Sequence, residues 1–153
     1  MERTREHYQK LQLYKHHNGN KSYLSVITLN VNGLNAPVKR HRVTEWIRKQ
    51  DPSICCLQET HFRSKDTFRL KVRGWRTIYH TNGRPKKAGV AILISDNLDF
   101  KIKTVSRVAE GHYIILEGSS HQEDLTIINI YAPNVKALKY INLLITNSLI
   151  VIP

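Results

Sequence analysis

At 153 residues and 17.8 kDa the chain is one domain's worth of protein, and 41% hydrophobic with 24% charged residues excludes a disordered or fibrous polymer. Twenty-four Lys and Arg against 12 Asp and Glu give a net charge of +12. That excess favours a polyanionic partner, nucleic acid first, through phosphate neutralisation and counterion release, although a merely basic soluble protein would carry the same charge. No run is long and apolar enough for a membrane span or a secretory signal, which argues for an intracellular protein, nuclear or cytoplasmic, with no membrane partner.

The cations lie early: ten Lys/Arg face three Asp/Glu in residues 1–50, nine face five in 51–100, and five face four thereafter. The two cysteines, Cys55 and Cys56, are adjacent in an apolar run. Successive strand side chains point to opposite faces, so the pair reads as two reduced, buried thiols rather than a disulfide framework or a zinc site.

In chain order, residues 1–22 are polar and basic and read as a loose leader. His16 and His17 within it are more often solvated than metal-bound. Tyr23 to Asn30 is rich in β-formers and reads as a central strand, closed by the turn-prone run Val31 to Pro37. Asn30 thus arrives at a strand end, where it serves either chemistry or the turn's own hydrogen bonds. Pro37 opens a helix to about Gln50, with Val43, Trp46 and Ile47 at core spacing and Lys39, Arg40 and Arg42 among its cations. Asp51-Pro52 stops it. Ile54 to Gln58 is a buried strand ending in Glu59, and strand, helix, strand with a short return makes a parallel βαβ-like unit.

A carboxylate where a buried strand meets solvent suits a hard divalent cation, which takes one or two protein carboxylates and fills its shell with water and phosphate. A solvated charge at the strand end is the plainer reading of Glu59. A basic stretch follows from Arg63 to Arg73, then a strand Trp75 to Tyr79, a basic loop containing Lys86 and Lys87, and a buried strand Gly89 to Ser95. Phe100 to Val108 and His112 to Glu117 form a hairpin or meander with exposed charges, and Asp124 to Tyr131 is another core strand. Lys136 to Ser148 reads as a helix, and Leu149 to Ile152 as the start of a further strand.

Three strand ends therefore present Asn30, Glu59 and Tyr131 within Thr28-Leu29-Asn30-Val31-Asn32-Gly33, Leu57-Gln58-Glu59-Thr60 and Asn129-Ile130-Tyr131-Ala132-Pro133-Asn134. Together these resemble the endonuclease/exonuclease/phosphatase family. From about Tyr23 to Asn134, including Asn35 to Arg42, Cys55-Cys56 and Lys86 to Leu93, the text is similar to the endonuclease domains that precede the reverse transcriptase in long interspersed element retrotransposons. The resemblance implies an α/β fold, the N-terminal part of a four-layer sandwich incomplete at its C-terminus. It divides the chain into a leader (1–22), the family domain (23–134) and a divergent tail (135–153).

The resemblance further implies magnesium-dependent nicking of DNA to prime reverse transcription, with Glu59 holding the metal and Asn32 beside it. Asn30 would orient the scissile phosphate and the Tyr131 hydroxyl would bond one of its oxygens. Lys39, Arg40, Arg42, Lys86 and Lys87 would make weak, non-specific contacts to DNA or RNA. The family continues with a Gly-Asp-Phe-Asn and later a Ser-Asp-His motif, and neither occurs here. His121 and His112 lie in a hairpin remote from Glu59 and make poor replacements. The expectation is a truncated endonuclease-like domain whose nicking is lost. The alternative is a non-catalytic basic nucleic-acid-binding fragment, or a non-functional product of a degenerate element.

Overall fold

The computed structural model describes residues 8–17, 20–81, 89–107 and 113–130. They form a five-stranded sheet in the order β1 (Tyr8–His17), β2 (Asn20–Asn30), β3 (Ile54–Gln58), β5 (Val90–Ser95), β4 (Trp75–His80), and a three-stranded sheet β6 (Phe100–Arg107), β7 (Tyr113–Ser120), β8 (Glu123–Ile130). One helix, α1 (Pro37–Gln50), and a short 3₁₀ helix (Ser64–Arg69) complete the elements.

β2 and β3 pair in parallel from Val26↔Ile54 to Asn30↔Gln58, as the strand–helix–strand reading requires; the other pairings are antiparallel. α1 begins at Pro37 with Val43 and Ile47, one turn apart, buried against the sheet. It ends where Asp51 takes a left-handed conformation (φ 48°) and returns its N–H to the Ile47 carbonyl at 2.9 Å, ahead of Pro52.

Every residue of β3 and β5 is buried, because both strands are covered on both faces. On one face Ile27, Leu29, Cys55, Leu57 and Leu93 meet Val43 and Ile47 of α1 together with Phe62, Leu70 and Val72. On the other, Val26, Ile54, Cys56, Ile92 and Ile94 meet Ile114, Leu116, Leu125 and Ile127 of the second sheet. The described residues thus make three layers, helical, five-stranded and three-stranded, in an α/β arrangement.

Two expectations change. Tyr8–His17, read as part of a loose leader, is a ten-residue strand paired along its whole length with β2, from Tyr8↔Leu29 to His17↔Asn20. The reason is that a polar strand can be recruited by the free edge of a neighbour through backbone hydrogen bonds alone. The polar run after Glu59 carries the 3₁₀ turn, with Leu70 and Val72 buried beyond it. Val108, His112 and the segment 131–153, where the sequence predicts a helix and a further strand, lie outside the described residues.

Candidate active site

The C-terminal ends of β2 and β3 share one end of the five-stranded sheet, and β5 starts there beside them, since Gln58 pairs with both Asn30 and Val90. Backbone hydrogen bonds lace the loops that leave this end. Val31 N–H donates to the Gln58 carbonyl (3.0 Å), Gly33 N–H to Glu59 (2.7 Å), Leu34 N–H to Thr60 (2.9 Å) and Thr60 N–H to Gly89 (3.1 Å). Glu59 is therefore fixed on both sides, in a left-handed conformation (φ 54°) that turns the chain out of the sheet. Such backbone costs on the order of 1–3 kcal/mol for a non-glycine residue and persists where its surroundings over-determine it.

Asn32, Gly33, His61 and Gly89 also have positive φ, so the left-handed residues concentrate around this end. Gly89 (φ 104°) is required twice over: a Cβ there would stand 2.3 Å from Thr60 Oγ1. A Cβ on Gly33 would stand 2.7 Å from His61 Nδ1. His61 Nε2 is buried and has no hydrogen-bond partner among the described residues.

Beneath the loops lies a buried polar relay between the sheets. Asn129 on β8 donates through Nδ2 to the carbonyls of Leu57 (3.0 Å) and Ala91 (2.8 Å), and its Oδ1 accepts from Gln58 Nε2 (2.8 Å). Gln58 Nε2 also donates to Thr28 Oγ1 at 3.2 Å. These bonds bring the C-terminal end of β8 to the same pole as Asn30 and Glu59.

Asn30 is exposed, and its Oδ1 accepts the Asn32 N–H at 3.1 Å, so it does the turn-stabilising work that an Asn in this position can do. One lone pair of that oxygen stays available for another donor. Asn32 (φ 46°) gives its carbonyl to Lys39 Nζ at 2.9 Å, which anchors an ammonium beside the pole. Arg40 Nη1 is spent on the Leu34 and Asn35 carbonyls (3.0 and 3.1 Å), tying α1 to the loop before it. Arg42 is exposed on the helix.

Asn30, Asn32, Glu59 and Lys39 are thus brought together, while Tyr131, Lys86 and Lys87 lie outside the described residues. His121 sits on the β7–β8 turn, where Ser120 pairs with Glu123. Seven residues along β8 separate that turn from the pole, about 24 Å at strand rise. The sequence reading assigned no role to Asn129, Gln58 or His61. An Asn inside the apolar run Leu125 to Ile130 was the available signal, since a buried amide must find partners.

Among the described residues no group of three His, Cys, Asp or Glu side chains could together hold a metal. The donors at the pole are a carboxylate and amide oxygens, hard ligands that suit a cation retaining most of its water.

The Endonuclease/Exonuclease/phosphatase family model matches residues 27–130, from β2 to the end of β8. The chain is 27% identical over 112 residues to the Xenopus laevis transposon TX1 uncharacterized 149 kDa protein, covering 72% of this chain and 8% of that protein. It is 29% identical over 124 residues to the Danio rerio DNA repair nuclease APEX1, covering 76% and 38%. Among solved structures, the endonuclease domain of TRAS1, a telomere-specific non-LTR retrotransposon, superposes with a TM-score of 0.52 at 14% identity, over 78% of this chain and 49% of that one. The chain spans less than half of each of these proteins. With the family match running across both sheets and the helix between β2 and β3, the chain belongs to the Endonuclease/Exonuclease/phosphatase family.

Proposed function

We propose that this chain carries the metal- and phosphate-holding part of a nucleic-acid phosphodiester centre of the retrotransposon endonuclease kind, and that it binds DNA and RNA without nicking DNA by itself. The observation that carries this reading is the gathering of Asn30 at the end of β2 with Glu59 and Asn32 on left-handed turns at the same pole, fixed by backbone bonds between the loops. Glu59 would hold magnesium, with Asn32 beside it; when bound, the ion supplies a Lewis acid for charge developing on the phosphate. Asn30 would orient the phosphate through its amide, and Tyr131, next after Ile130 of β8, would donate its hydroxyl to a phosphate oxygen. Lys39, held at the Asn32 carbonyl, adds positive charge there. Arg42, exposed on α1, adds to the basic surface along which the nucleic-acid backbone would run, and Lys86 and Lys87 would add further phosphate contacts.

Hydrolysis also needs a group that aligns and deprotonates the attacking water, worth about 10²- to 10⁴-fold. His121, set aside for that task on its sequence position, is at the far end of β8. Names among the relatives, a DNA repair nuclease and a retrotransposon endonuclease domain, support nucleic acid as the partner.

The test is relaxation of supercoiled plasmid by the purified chain with and without magnesium, with Glu59→Ala run in parallel to exclude a contaminating nuclease. Retarded but unnicked plasmid is expected. Magnesium-dependent nicking that disappears in Glu59→Ala would show that these residues suffice for hydrolysis, and failure to retard plasmid at all would remove the binding reading.

A further inference from the structure

Between Arg63 and Arg76 the sequence places six Lys and Arg against a single acid, Asp66, which is already paired with Arg69 at 3.3 Å. This segment folds beside β4, the edge strand of the five-stranded sheet, and encloses a groove of about 550 Å³ lined by Phe68, Lys71, Arg73, Trp75, Thr77 and Tyr79 among others. Phe68 is 64% exposed and is one of two large hydrophobic side chains left open to solvent among the described residues. A lone exposed apolar residue is ordinary. Here it stands among cations: the Arg69 guanidinium lies 5.8 Å from its ring centroid, and Lys71 and Arg73 are exposed on either side of buried Val72.

The remaining rings are fixed. Trp75 Nε1 donates to the Pro52 carbonyl at 2.9 Å, and the Tyr79 hydroxyl donates to the Leu70 carbonyl. Fixed aromatic rings interleaved with exposed cations match the chemistry of single-stranded nucleic acid, whose unpaired bases offer faces for stacking while its phosphates take positive charge. A duplex hides those faces, and an acidic peptide would use the cations but gain nothing from Phe68.

We propose that this groove binds a single-stranded segment of DNA or RNA, with bases stacked on Phe68 and Trp75 and phosphates on Lys71 and Arg73. The groove is a separate site from the Glu59 pole. It follows β4 down to Trp75, which pairs with Ser95 at the end of the sheet opposite Val90. The inference uses neither Glu59 nor magnesium, so its failure and that of the proposed phosphodiester centre are distinguishable.

The experiment is fluorescence anisotropy of a labelled oligothymidylate with the full chain in EDTA, comparing the parent with Phe68→Ala and with the double variant Lys71→Ala/Arg73→Ala. All three side chains are exposed, and circular dichroism verifies that each variant keeps its fold. Each variant is expected to weaken oligothymidylate binding by about fivefold or more, while Phe68→Ala changes binding of a duplex of equal length by less than about twofold. Polyglutamate at equal charge should not displace the oligonucleotide. Unchanged oligothymidylate affinity in Phe68→Ala, an equal loss on duplex, or displacement by polyglutamate would each overturn the proposal.

Discussion

Asn129 is fully buried in a strand of aliphatic neighbours, and its amide saturates three partners on the opposite sheet. Removing it leaves the Leu57 and Ala91 carbonyls without that donor and deprives Gln58 of an acceptor, all buried between the sheets. Unsatisfied buried groups cost about 1–3 kcal/mol each, so Asn129→Ala should lower unfolding free energy by about 3 kcal/mol, measured from the urea midpoint at constant slope. A loss below about 1 kcal/mol would mean that the relay is not what joins the two sheets here. At this scale the sequence was most informative where a polar side chain follows a β-rich run, as at Asn30 and Glu59. It was least informative at His61, whose ring packs against Gly33, 28 positions earlier in the chain, where a side chain would collide with it.

Among the elements, β3 and β5 could be read directly as buried strands, from Ile54-Cys55-Cys56-Leu57 and from Gly89 to Ser95. Burial pushes both thiols above their ordinary value of 9.0, Cys56 to about 12. The fold favours the neutral thiol, so this contribution is fully present below pH 9.0, where the unfolded thiol titrates, and drains away as pH rises towards about 12. The denaturation midpoint should accordingly fall through that alkaline window, and Cys56→Ala should flatten part of the fall. Cys55 and Tyr79, both raised above their ordinary values by burial, leave the remainder. An identical alkaline profile in Cys56→Ala would rule out the thiol as a source. β1 was not legible in this way: Leu11 and Leu13 give a faint two-residue period within a polar run, and it is pairing with β2 that makes the strand. The 3₁₀ turn at Ser64–Arg69 was equally hidden, because a single short turn leaves no repeating pattern to detect.

For the whole molecule, +12 on 153 residues sets the character of any association with nucleic acid. Binding should weaken by about tenfold or more as salt rises from about 50 to about 200 mM, because each phosphate contact releases a counterion. Filter binding or anisotropy across that range checks it, and affinity indifferent to salt would exclude charge as the driving term. The α/β class and the parallel β2–β3 pair could be read from sequence, since periodicity and loop length constrain them. How the second sheet docks could not, because the contacts in question join β8 to β3 and β5 across 38 or more residues. Because Cys55 belongs to the core under α1 and Cys56 to the core between the sheets, one peptide bond places a thiol in each compartment. Thiol-trapping reagents would therefore read two local opening equilibria from neighbouring positions, and the order in which the pair is alkylated under mild denaturant would reveal which layer peels away from the central sheet first.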